Sequence, residues 1–285
     1  INYIISQKHL DKLQESREIE GIYLASSLQQ GFIYHALNQG DIDDAYLVQN
    51  IWEYNNQLEV NKLKEAWSYA QARFSSLRLR LAWEEELVQV INKEGSLDWR
   101  YIDLSQEDST AQEVKIKQVQ EKDRLELYKL EQGNLFRIYL IKQREDLYTC
   151  IFSSHHAILD GWSIPILLGY IHEVYLKLQN KETVVLSISR SYEDAQKYLQ
   201  EHEKENQDYW DKYVSEIEER SDLSGLLLDS SKYKQLRINE YKHITSSEEQ
   251  TLIIGNNLYY DLKNICQEEG VTLNAILQYT WHKVL

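Results

Sequence analysis

The chain of 285 residues is 42% hydrophobic and 27% charged, a makeup that excludes a disordered or fibrous polypeptide and supplies a core for one large domain or two lobes. Its formal net charge of -15 opposes wholesale binding to nucleic acid or to an anionic membrane, and apolar stretches such as IPILLGYI at 164–171 fall far short of the roughly 20 residues of a membrane span. Two cysteines, Cys150 and Cys266, are too few for a disulfide framework or a four-thiolate zinc site and point to a reducing cytoplasm, while an N-terminus with neither methionine nor a secretory pattern is expected to come from something longer.

In chain order, the first clear helix spans 58–74, where Val60, Leu63, Trp67 and Ala70 recur at three- and four-residue steps. LRLRLAW at 77–83 and ELVQVIN at 86–92 each alternate apolar and polar residues around an acidic turn, which predicts a hairpin with one buried face. Its arginines, in RFSSLRLR at 73–80, read as the solvated face of a strand. An amphipathic helix follows at 114–127, then a second hairpin formed by LFRIYLI at 135–141 and LYTCIF at 147–152. A helix is expected at 163–179, with Ser163 as its N-cap and Pro165 in its first turn, where a missing N–H costs little. The polar patch at 180–191 is the candidate lobe boundary, dividing the chain into 1–180 and 181–285. Beyond it come a long charge-paired helix at 192–217, a strand-like segment at 242–254, a helix at 257–270 and a last helical pattern that the chain's end interrupts.

Chemistry concentrates in SHHAILDGWS at 154–163, at the end of the second hairpin. Adjacent strand residues face opposite sides, so one of His155 and His156 should be buried and the other presented. That splits the pair and argues against a chelating metal site, which needs converging side chains. An imidazole at a strand end, followed by a carboxylate and a glycine that permits a tight backbone, suits a neutral ring nitrogen that accepts a proton near neutral pH. If Asp160 is buried it needs a cation, and the arginines of 73–80 are the obvious suppliers. Neither a nucleophile elbow of the form G-x-S-x-G nor a glycine-rich nucleotide loop is present. The 7 tryptophans and 21 tyrosines read as core and surface residues, because no basic groove accompanies them.

Taken together, these segments resemble the condensation domains of nonribosomal peptide synthetases, members of the chloramphenicol acetyltransferase-like fold. His155-His156-Ala157-Ile158-Leu159-Asp160-Gly161 matches the family's HHxxxDG. YLASSLQQGFIYHAL at 23–37 is similar to its opening motif YPLSPLQEGMLFHAL, and Arg73, Leu77 and Arg78 retain its RHxxLRTxF pattern. SYEDAQKYLQEHEKENQDYWDKYV at 191–214 resembles its YxDYxxWL helix, and 270–285 the segment that leads on into the second lobe. Phe74 and Leu79 stand where the family has His and Thr, and Ala25 and Ser27 where it has Leu and Pro.

The resemblance implies an α/β two-lobe sandwich, complete in its N-terminal lobe and truncated in its C-terminal one. It also implies amide formation between a donor thioester and an acceptor amine, both on phosphopantetheine arms of carrier proteins, with an adjoining adenylation domain. No cofactor or metal bound by the domain itself is implied. In that scheme His156 handles the amine, His155, Asp160, Gly161 and Arg78 support it, Asp160 pairs with Arg78 or else Arg73, and Gln29, Trp162 and Ser163 are candidate tunnel-lining residues. LQQGFIYH and HHAILDGWS look most like the subclass that takes an L-configured donor. Transfer to an oxygen, use of coenzyme A, or a role as a docking fragment remain alternatives.

Overall fold

In a computed structural model of the chain, residues 4–15, 17–39, 45–202, 205, 207–217 and 250–284 are described. They fall into two compact units, Ile1–Gln207 and Asp208–Leu285.

The first unit is built on two sheets. Strands β1 (Ile19–Leu24), β3 (Leu79–Ala82) and β4 (Val88–Asn92) form one, in the order β1-β4-β3, with both pairings antiparallel. The other joins β2 (Leu47–Tyr54), β5 (Trp99–Asp103), β6 (Phe136–Arg144) and β7 (Leu147–His155) in the order β2-β7-β6-β5, where only β5 and β6 run parallel. Both hairpins read from alternation are therefore present.

Each sheet is covered on both faces, which alternation explains residue by residue. On the larger sheet, Phe136, Ile138, Leu140, Cys150 and Phe152 meet α3 (Val60–Arg73) and α5 (Ser163–Gln179), with the Trp67 ring 5.0 Å from that of Phe152. The intervening residues Tyr139, Ile141 and Ile151 pack with Leu104 and with Ile116 and Val119 of α4 (Ser109–Leu125). Each such large side chain, fully buried, contributes about 1.5–3 kcal/mol. α4 starts ahead of its apolar repeat because Asp108 caps it, accepting the Ala111 N–H at 2.9 Å.

The smaller sheet sends Leu79, Leu81 and Ile91 to that same core, while Ile22, Val88 and Val90 pack with Ile5 and with Leu13 of α1 (Gln7–Gln14). Here the expectation of a solvated basic face fails. Arg78, in the turn Ser75–Arg78 ahead of β3, and Arg80 are both buried. Arg80 donates to Leu13 O and Asn92 Oδ1, so α1 covers the face that a lone hairpin would leave wet.

One further segment differs from its sequence reading. The helix expected over 192–217 is two, α6 (Ser191–Glu201) and α7 (Gln207–Ser215). At the break the His202 ring stacks on Tyr198 at 4.0 Å, and its Nδ1 lies 2.8 Å from Tyr198 O, which also accepts the His202 backbone N–H at 3.1 Å. Residues 180–191 lie within the first compact unit, where Ser189 bridges to Phe74 and Arg73 donates to Ser187 O at 2.6 Å.

In the second unit, α8 (Asn256–Glu268) and α9 (Leu273–Val284) form as expected. Residues 250–254 hold no strand, and the rest of the strand-like segment, 242–249, lies outside the described residues.

Candidate functional site

The segment His155–Ser163 leaves the end of β7 and enters α5. The β-ladder carries one residue beyond the strand: His155 N–H donates to Leu135 O at 2.8 Å and His156 N–H to Tyr46 O at 2.9 Å. A tight turn follows, in which Ile158 N–H returns to His155 O at 3.2 Å.

The two histidines separate at this point. Nδ1 of His155 accepts the Ala157 N–H at 3.0 Å, so it carries no proton and the ring is a neutral imidazole protonated at Nε2. Three aromatic rings surround it: Phe32 edge-on at 5.5 Å, Tyr46 at 6.2 Å and Tyr128 edge-on at 6.5 Å. Burial, reinforced by the charges of His156 and His35, pushes the His155 pKa down to about 4. His156 is exposed, its ring 6.0 Å from that of Phe32. The strand end thus locks one imidazole as a structural acceptor and offers the next to solvent.

Asp160 is not the buried, arginine-paired carboxylate that the sequence suggested. It is exposed, and its Oδ1 accepts both the N–H and the hydroxyl of Ser163, at 2.8 and 2.6 Å. Those hydrogen bonds hold its pKa below the ordinary aspartate value. Ser163 is accordingly the first residue of α5 and makes no side-chain cap, since an anion competes best for the positive end of a helix. A hydrated carboxylate beside that helix end needs no ion partner.

Arg78 is committed elsewhere. It donates to Gln71 O at 3.1 Å, closing the last turn of α3, to Asn92 O at 2.6 Å and Lys93 O at 2.9 Å, and it pairs with Glu20. Arg73 is likewise spent on Ser187. Neither reaches Asp160.

Gly161 lies in open space: a Cβ there would meet nothing within 4 Å and its φ is not positive, so the local backbone does not require glycine. Trp162 is exposed to 86%, which leaves its indole available to a ligand or a neighbouring chain. Gln29 is 5% exposed and lines no open surface. It closes a capping box at the start of α2 (Ser27–Gln39), its Oε1 accepting Ser26 N–H at 3.0 Å while Ser26 Oγ accepts Gln29 N–H at 3.3 Å.

Sequence reasoning missed the aromatic box of Phe32, Tyr46 and Tyr128, whose members come from three distant segments. The Ser26-x-x-Gln29 spacing was a legible signal for the capping box. Among the described residues, no three His, Cys, Asp or Glu side chains are grouped to hold a metal ion, and no helix is long and apolar enough to cross a membrane.

Comparison with known proteins places this geometry in context. The family model described as Condensation domain matches residues 19–285. An N-(5-amino-5-carboxypentanoyl)-L-cysteinyl-D-valine synthase from Amycolatopsis lactamdurans is 42% identical over 264 residues, which is 92% of this chain and 7% of that protein. Its counterpart from Penicillium rubens is 39% identical over 275 residues, 96% of this chain and 7% of the synthase. The chain therefore spans only about 7% of these relatives. Among solved structures, the starter condensation domain of rhizomide synthetase RzmA superimposes with a TM-score of 0.60 at 18% identity, covering 70% of this chain and 52% of that one. At that identity the likeness establishes a shared fold.

Proposed function

The chain belongs to the condensation-domain family, and from that premise we propose that it is an acyltransferase forming an amide between two carrier-bound thioesters. The acceptor's amine attacks the donor's thioester carbonyl, a C–N bond forms, the C–S bond breaks, and the thiol leaves with a proton. Both substrates ride on phosphopantetheine arms of upstream and downstream carrier proteins, and an adenylation domain adjoins in the same synthetase. The observation that carries this reading is the division of the histidine pair: His155 is fixed as a neutral acceptor, and His156 stands exposed directly after it.

His156 then orients the attacking amine and takes its proton as the tetrahedral intermediate collapses. Such acid–base assistance is worth about 10²- to 10⁴-fold, and holding two tethered reactants together supplies much of the remaining acceleration. His155 supports from behind, through the turn that it closes. Asp160 and Gly161 shape the start of α5, Trp162 and Ser163 border the substrate path, and Arg78 acts at a distance by joining α3 to the smaller sheet. Residues 1–180 are assigned to the N-terminal lobe and 181–285 to the C-terminal lobe. The motifs LQQGFIYH and HHAILDGWS favour an L-configured donor, and the reaction belongs in the cytoplasm.

The test is His156→Ala in the complete protein, assayed with both carriers loaded. Amide formation should fall by about 10²- to 10⁴-fold, with the melting temperature unchanged because the side chain is exposed. Undiminished amide formation would remove His156 from the reaction.

A further inference from the structure

Asp160 gives the His156 turn no anchor in an arginine, yet the turn is held on the side of Ala157 by a buried polar cluster. Gln29 Nε2 lies 3.3 Å from Ala157 O, 3.3 Å from Tyr192 Oη and 3.4 Å from Gln89 Oε1, its two N–H groups shared among three acceptors. Its own Oε1 is occupied by Ser26 N–H, which fixes the amide's orientation and forces Nε2 into the cluster. The Tyr192 hydroxyl donates to Gln89 Oε1. Gln89 Nε2 in turn donates to Leu24 O at 2.9 Å and to Gln196 Oε1 at 2.7 Å.

Five elements meet there: α2 through Gln29, β4 through Gln89, β1 through Leu24 O, α6 through Tyr192 and Gln196, and the turn through Ala157. Gln29 and Gln89 are 5% and 0% exposed. A cluster so enclosed is costly to leave half satisfied, so its members favour one arrangement over all others. Ala157 is next in sequence to His156, and its N–H is the group that His155 Nδ1 accepts. The residue following His156 is therefore held at its carbonyl by Gln29 and at its N–H by His155.

We propose that Gln29, Gln89 and Tyr192 are positioning residues for His156, a latch that holds the Ala157 carbonyl and ties the turn to helix α6. The assignment rests on the acyl-transfer reading for its catalytic consequence, and on the hydrogen bonds alone for its structural one. A shift of α6 that carried Tyr192 away would break its bond to Gln89 Oε1 and untie the cluster from that helix.

The experiment compares Tyr192→Phe, Gln29→Met and the double variant in the complete protein, by amide formation with loaded carriers, thermal melting and residue-resolved hydrogen exchange. Tyr192→Phe removes one hydroxyl and leaves the α2 capping box intact, so it decides the matter even if Gln29→Met fails to fold. Amides 157 and 158 should exchange roughly tenfold faster in each variant, with amides of the β6–β7 ladder unchanged. kcat should fall about 10- to 100-fold, KM for either carrier should hold, and the double variant should be no worse than the weaker single one.

Unchanged exchange at 157 and 158 overturns the latch, as does a kcat that holds while only the melting temperature drops. A rise in KM at constant kcat also overturns it, since Gln29 would then be a substrate contact. Wild-type protein that forms no amide from loaded carriers defeats the acyl-transfer reading instead, and the exchange data still decide whether the latch exists.

Discussion

Two aspartates, Asp123 and Asp160, are held in opposite ways, in regions that the β6–β7 hairpin connects. Asp123, in the last turn of α4, is fully buried. It accepts Gln49 Nε2 at 2.5 Å and is paired with Arg137, whose guanidinium also donates to Asp123 O at 2.8 Å and lies 4.3 Å above the Tyr128 ring. Asp160 stays in water and caps a helix. A carboxylate removed from solvent requires a cation and a full set of donors, whereas an exposed one is satisfied by a helix N-terminus. The Asp123 region is accordingly a rigid clamp, and through Tyr128, which donates to Ser153 O at 2.9 Å, it walls one side of the His155 ring. The Asp160 region is a lightly tied turn beside the exposed imidazole.

The contrast is broken most directly at the clamp. Replacing Asp123 by Ala leaves the buried Arg137 guanidinium only the partly exposed Glu126 carboxylate, 3.6 Å away, and should cost about 3–5 kcal/mol, read by chemical denaturation. If the loss is below about 1 kcal/mol, the pair behaves like a surface bridge and the distinction collapses.

His155 lies between the two regions and should show an intermediate effect, visible in its pH dependence. Its folded pKa, about 4, is below the 6.5 expected when unfolded, so the unfolded chain binds more protons between those values. Stability therefore falls as pH drops from about 6.5 to about 4 and levels off below, a contribution on the order of 3 kcal/mol. His155→Asn keeps an acceptor near the Ala157 N–H but cannot titrate. The difference between the two proteins' stability-versus-pH curves should be confined to that window, and parallel curves would show that the ring is not enclosed.

The smallest effect is expected at Asp160. Asp160→Ala loses an exposed cap and should cost about 0.5–1 kcal/mol. The wild-type contribution is present above the unfolded aspartate pKa and disappears as pH falls through the lowered folded value. A loss as large as that of Asp123→Ala would mean that the turn is a second clamp.

Much of the fold was legible because it rests on near neighbours in the chain. Helix α3 and both hairpins follow from spacings of two to four residues, and the division of His155 from His156 follows from strand alternation. The arginines defeated the same reasoning. LRLR alternates as a half-wet strand does, yet Arg78 and Arg80 are buried, because α1 and Glu20 arrive from far upstream; Glu20 and Arg78 are 58 residues apart. Gln29 was read as lining an open path and instead reaches Ala157, 128 residues away.

The sequence by itself determined where α3, α5 and both hairpins form and that the two imidazoles part at the strand end, since those outcomes depend on local periodicity and on backbone geometry. Only the tertiary structure decided which charged and polar groups find one another. A side chain's partner is set by what burial brings alongside it, and for Arg78, Asp160 and Gln29 that choice was made by segments far from each of them or by the end of a helix.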